Sequence, residues 1–127
     1  MDTVANVLTS LVNAQRAGKK RAAVPYSKFS HSLLQMLKEK GYIANVRLQE
    51  SPRAKLVVTL DYDGRTPKIT AVKRLSTPGR RWYASHDEIP FDYQGYGMVI
   101  ISTSEGLMDE TKARKQKKGG ELICAIW

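Results

Sequence analysis

The spacing of apolar residues changes near residue 42, and that change restricts the fold more than any other feature of the sequence. Before it, apolar side chains recur every three or four positions, the period of a helix face. After it, as far as Leu60, they alternate, the period of a strand. Val4, Val7, Leu8, Leu11 and Val12 form one helical face that opens at Asp2 or Thr3 as N-cap and ends near Ala17, where Gly18 stops it. A basic cluster, Lys19, Lys20 and Arg21, then leads through the short apolar run Ala22 to Val24 into Pro25 and Tyr26. Ser27 is the expected cap of a second helix whose buried stripe is Phe29, Leu33, Leu34, Met36 and Leu37, with Gly41 at the left-handed position that ends it.

From Tyr42 onward, Ile43, Val46 and Leu48 mark one strand, and Leu56, Val58 and Leu60 a second. Ser51-Pro52 makes the first turn. Asp61-Tyr62-Asp63-Gly64 makes the next, with a glycine able to take positive φ, and Lys68 to Arg74 resumes as strand. Thr77-Pro78-Gly79 turns again into a short edge strand, Arg81-Trp82-Tyr83, followed by a loop or single helical turn over His86 to Tyr96. Gly97 to Thr103 reads as a buried strand. Asp109 caps a short basic helix through Lys118, Gly119-Gly120 breaks it, and Glu121 to Trp127 is a last strand. This order predicts an α+β fold. Residues 1–67 should hold two helices packed on a small sheet, and residues 68–127 a mostly antiparallel β half with one short helix.

Charge narrows the function. Lys and Arg number 21 against 12 acids, so a chain of 127 residues carries a formal charge of +9 and favours densely anionic partners, nucleic acid first. No apolar run, Met98 to Ile101 included, approaches the roughly 18 to 20 residues of a membrane-spanning helix. Asp2 lies at the start of the first helical pattern, unlike a signal or transit peptide. The single cysteine, Cys124, excludes an internal disulfide and supplies too few thiolates for structural zinc, which fits a reducing compartment. Within the run Leu122 to Ile126 it is expected to be an inert core residue.

Several short motifs carry two readings each. Lys112, Arg114, Lys115, Lys117 and Lys118 are either a solvated helix face or one of several cationic surfaces, with Arg16 to Arg21, Lys73-Arg74 and Arg80-Arg81, that neutralise phosphates in a salt-dependent way. Arg80-Arg81-Trp82-Tyr83 is either a stacking platform for bases or an edge strand in which alternation buries one ring and exposes the other. Ser102-Thr103-Ser104-Glu105-Gly106 is either a small-residue tip that lets a ligand approach closely or a turn whose hydroxyls satisfy their own backbone. Catalytic readings fail on spacing. A nucleophile elbow centred on Ser104 would need glycine at 102, where Ser stands, and a hydrolase using Ser104 with His86 would need a carboxylate-oriented histidine. A dinucleotide loop at Gly95-Tyr96-Gly97 would need glycine at 100, which is Ile. His31 and His86 lack metal-ligand spacing. The expectation is therefore a non-enzyme without cofactor, metal or small-molecule substrate.

Taken in order, these segments resemble one family, protein eight of the small ribosomal subunit in its bacterial or organellar form. Asp2 to Asn13 is similar to its opening helix, Pro25-x-Ser27-Lys28 to its second helix start, and Lys40-Gly41-Tyr42-Ile43 to that helix's end. More specific are Arg74-Leu75-Ser76-Thr77-Pro78-Gly79-Arg80-Arg81-Trp82-Tyr83, then Gly95-x-Gly97 leading into Ile100-Ile101-Ser102-Thr103-Ser104-x-Gly106, then Met108, Ala113-Arg114 and Gly119-Gly120-Glu121. The resemblance implies a ribonucleoprotein component that binds the central domain of small-subunit rRNA, touches neighbouring small-subunit ribosomal proteins, supports assembly and translation, and works in a bacterial cytoplasm or organelle. It implies that Ser102, Thr103, Ser104 and Glu121 contact bases or sugars, Glu121 as an acceptor, and that Gly120, Arg114, Ser27, Lys28, Arg74, Arg80, Arg81 and Tyr83 complete the RNA site. Glu105 stands where relatives often have Lys, which removes a phosphate contact that the basic run at 115–118 could replace.

Overall fold

The structure, a computed structural model, describes residues 3–50, 52–89 and 97–127. The expectations that rest on Asp2, Ser51, Gly95 and Tyr96, and the side chain of Val4, lie outside the described residues. Helices combine with antiparallel sheets, an α+β fold, and the chain divides into two compact units, Met1–Ile69 and Thr70–Trp127.

In the first unit, α1 spans Thr3–Arg16 and buries Val7, Leu8, Leu11 and Ala14. It ends where Gly18 takes φ +69° and the Lys19 N–H reaches back to the Ala14 carbonyl at 3.0 Å. Helix α2, Lys28–Glu39, starts at Ser27, whose backbone is extended and whose hydroxyl accepts the Ser30 N–H at 3.0 Å; such a cap contributes about 1 kcal/mol. Leu33, Leu34 and Leu37 are fully buried, and Gly41 at φ +83° closes the helix.

Strands β1 (Arg21–Pro25), β2 (Ile43–Gln49) and β3 (Lys55–Leu60) pair antiparallel in the order β1-β3-β2. The run Ala22 to Val24, noted in the sequence only as apolar, is thus a strand, with Val24 buried and its neighbours open. A register shift between Ile43 and Asn45 puts an extra residue into β2. This bulge lets Ile43 and Val46, three apart, both enter the core, while Leu48 stays 39% exposed. A two-residue pair, β4 (Tyr62–Asp63) and β5 (Thr66–Pro67), turns on Gly64 at φ +65°.

The second unit is a five-stranded sheet of β6 (Val72–Arg74), β7 (Tyr83–Ala84), β8 (Met98–Thr103), β9 (Gly106–Asp109) and β10 (Gly120–Ile126) with one helix, α3 (Glu110–Lys115). Strand β10 is its axis. It pairs with β8 along one edge, and with β6 and β7 at the two ends of the other. Val99, Ile101, Met108, Ala113, Leu122 and Ala125 form the core beside β8 and β10. Residues Met98 to Ile101 and Leu122 to Ile126 are buried without alternation, which is why these segments read as continuous apolar runs.

Among the boundaries that differ from the sequence reading, two have a clear backbone cause. Strand over Lys68 to Arg74 is confined to Val72–Arg74, because the Thr70 and Ala71 N–H groups both donate to the Trp127 carbonyl in an irregular segment. The helix predicted through Lys118 stops at Lys115, where Lys117 turns to φ +53° and the Lys118 N–H bonds back to the Ala113 carbonyl. Asp109 does cap it, accepting the Lys112 N–H at 2.7 Å.

Candidate nucleic-acid interface

Glu121 on β10 is flanked by Tyr83 on β7 and by Ser102 on β8, and Ser102 is in turn opposite Leu107 on β9. Directly paired residues of antiparallel strands share a face, so these side chains form one row across four strands. Tyr83 is 68% exposed. The Glu121 carboxylate, whose side chain is only 16% exposed, accepts from the Arg81 guanidinium at 3.0 Å, while the Arg81 side chain remains 54% exposed.

The glycines before Glu121 have a steric reason. A Cβ on Gly120 would lie 2.1 Å from the Ser102 carbonyl oxygen, and one on Gly119 would lie 2.6 Å from that of Ala84. Real Cβ atoms do not come so near a backbone oxygen, so only hydrogen fits where β10 enters between β7 and β8.

Beyond Ser102 the chain turns through Ser104 and Glu105, with Gly106 at φ +111°. The two readings of this tip divide by residue. The Thr103 hydroxyl serves its own turn, donating to the Gly106 carbonyl at 2.9 Å and accepting the Glu105 N–H at 3.1 Å. Ser104 is exposed at the apex. The Glu105 carboxylate meets the Lys118 ammonium at 3.2 Å.

The loop over residues 76–82 presents the remaining cations. Ser76 is fully buried; Thr77 and Arg80 exchange backbone hydrogen bonds at 2.9 and 3.1 Å. Arg80 and Arg81 are exposed. The edge-strand reading buries one of Trp82 and Tyr83, yet both are exposed, at 45% and 68%. The strand begins only at Tyr83, and Ala84 is its inward residue; Trp82 lies ahead of it, held through its backbone by Ser76 and by the Leu122 N–H. Arg74 points back into the protein, where its Nε and a terminal nitrogen donate to the Ser76 carbonyl. Arg114 likewise donates to the Ile89 carbonyl at 2.9 Å. Both are therefore braces of the scaffold.

In the first unit, Ser27 spends its hydroxyl on the helix cap, donating to Ser30 Oγ at 2.9 Å, and Lys28 is exposed at the first helical position. Sequence reasoning missed Glu110. Its carboxylate is buried and accepts the Val99 N–H at 2.8 Å; its place in the first turn of α3 marks it only as a favourable helix residue. At Asp87 and Glu88 donation from the Ser85 hydroxyl holds both carboxyls below their ordinary values. Burial pushes the Cys124 thiol up to about 12.

Among the described residues no group of three His, Cys, Asp or Glu could hold a metal ion, and no helix is long and apolar enough to cross a membrane. The family model for ribosomal protein S8 matches residues 2–127. Small ribosomal subunit protein uS8 of Nostoc punctiforme is 42% identical over 129 residues, covering 99% of this chain and 97% of that protein. The uS8c protein of Physcomitrium patens is 42% identical over 129 residues, covering 99% of this chain and 98% of that protein. For uS8 of Sorangium cellulosum the identity is 44% over 128 residues, again 99% and 98% of the two chains. With the match running from residue 2 to residue 127, this chain belongs to the family of ribosomal protein S8.

Proposed function

We propose that this protein is a structural component of the small ribosomal subunit that binds rRNA through the exposed face of its second half. It is not an enzyme, and its partners are small-subunit rRNA and neighbouring ribosomal proteins. The observation that carries the site is the cross-strand row of Tyr83, Glu121 and Ser102 with exposed Ser104 at the adjoining tip. Irregular rRNA helices are read at exposed edges by short hydroxyl side chains, backbone groups and rings, and this row offers all three. Arg80, Arg81 and the exposed Lys112, Lys115 and Lys117 supply the phosphate attraction expected of a chain at +9.

In this reading residues 68–127 hold the principal RNA site, with Ser102, Thr103, Ser104, Gly120 and Glu121 at its centre. Thr103, Gly120, Arg74 and Arg114 shape the surface, and Ser102, Ser104, Tyr83, Arg80 and Arg81 meet the RNA. Residues 1–67, two helices laid on a small sheet, add a second contact where Lys28 meets phosphate next to the Ser27 cap. The test is a titration of the protein against a transcript of the rRNA central domain, with unrelated duplex RNA as competitor. Selective retention of the fragment is expected; equal displacement by the duplex would overturn site-specific recognition.

A further inference from the structure

A carboxylate on a surface that meets phosphates is unfavourable unless something neutralises it, and Glu121 lies at the centre of that surface. Resting on the functional reading above, we propose that Glu121 is a positioning residue: it acts on RNA through Arg81, holding the guanidinium in place before the RNA arrives. Several observations converge on this. The two side chains meet at 3.0 Å, forty positions apart in sequence. The Glu121 side chain is largely covered, whereas Arg81 is more than half open, so the pair presents its cation outward. The Arg81 backbone is fixed on both sides, by the Thr77–Arg80 exchange before it and by the Ser76–Trp82 bonds after it. Glu121 is itself locked in register between Tyr83 and Ser102.

Arginine presents five N–H donors on a planar fork, so the donors that Glu121 leaves over can engage phosphate or a base edge. A guanidinium already held loses less rotamer freedom on binding than a free surface arginine. Removing Glu121 should therefore weaken binding even though it removes a negative charge from an RNA-facing surface.

A double-mutant cycle on the rRNA fragment separates this from direct contact. Arg81→Ala and Glu121→Ala should each weaken binding about tenfold, the scale of one charge-assisted hydrogen bond. In the Arg81→Ala background, Glu121→Ala should weaken binding no further, since its route through the guanidinium is gone and only an unneutralised carboxylate is removed. Losses that multiply to about a hundredfold would overturn the proposal and make Glu121 an independent RNA contact. Should either alanine variant fail to fold, the same cycle with glutamine at both positions answers the question. A second readout needs no RNA: the Arg81 Nε–H resonance should be sharp in the free protein and exchange-broadened in Glu121→Gln, and an unchanged signal would remove the pin. Preference of the unmodified protein for the fragment over unrelated duplex, read in the same titrations, reports on the functional reading by itself; its absence would overturn both.

Discussion

Ser76 grips Trp82 at two points: its hydroxyl accepts the Trp82 N–H at 2.8 Å and donates to the Trp82 carbonyl at 3.2 Å. One fully buried side chain thus fixes both ends of the loop that carries Arg80 and Arg81. Ser76→Ala should cost about 1 to 3 kcal/mol in urea denaturation, because it strands a backbone donor away from water. It should also weaken rRNA binding, since the two arginines lose their fixed base. Unchanged stability would show that the loop stands without this grip.

Gly120→Ala places a methyl group where the Ser102 carbonyl already lies, 2.1 Å away. β10 must separate from β8 at its entry, and the expected loss is about 3 kcal/mol, read by thermal or urea unfolding. A variant of normal stability would show that the strands part at no cost.

Ser104→Ala is the complementary case. The residue is exposed and its removal should leave folding stability within about 0.5 kcal/mol. Affinity for the rRNA fragment should fall by about 1 to 2 kcal/mol through a lost hydrogen bond. An unaltered dissociation constant would take Ser104 out of the contact.

Lys115, the last residue of α3, and Lys117, just past it, are both exposed. Replacing both with Gln should reduce the slope of log affinity against log salt by about 1 to 2, the signature of two lost phosphate contacts. A slope equal to that of the unmodified protein would assign the run to solvation.

Cys124 gives a prediction in pH. Burial raises its pKa in the folded protein from 9.0 to about 12, so folding favours the protonated thiol. The associated stability is complete below pH 9 and is lost as pH rises toward 12. Comparing alkaline unfolding of the protein with that of Cys124→Ala should show a smaller loss in the variant across this window. The thiol should also resist disulfide reagents at pH 8 until the protein unfolds.

The helices, and their ends apart from that of α3 at Lys115, were legible because their causes are local. Ser27 and Asp109 cap with their own side chains, and Gly18 and Gly41 take the positive φ that ends a helix. Strand register was not legible. The bulges at Ile43/Asn45 and at Leu122/Cys124 each add one residue that alternation alone does not reveal, and β1 buries too little to be told from a loop. The candidate site followed the same division. Its residue types and order were visible in the sequence, but which side chains are spent on the protein itself was not. Thr103, Arg74 and Arg114 are committed to carbonyls. The Arg81–Glu121 and Lys118–Glu105 pairs depend on how three strands and a turn align, information that no spacing carries.

The strand that holds the second unit together, Gly120–Ile126, follows in sequence every partner it joins. During synthesis β6, β7 and β8 leave the translating machine before the segment that links them exists outside it. The first unit has all three strands of its main sheet by residue 60 and can close early. The surface proposed for rRNA therefore matures last, and a nascent chain cut short of residue 120 would present its arginines and its serine tip on unjoined edges.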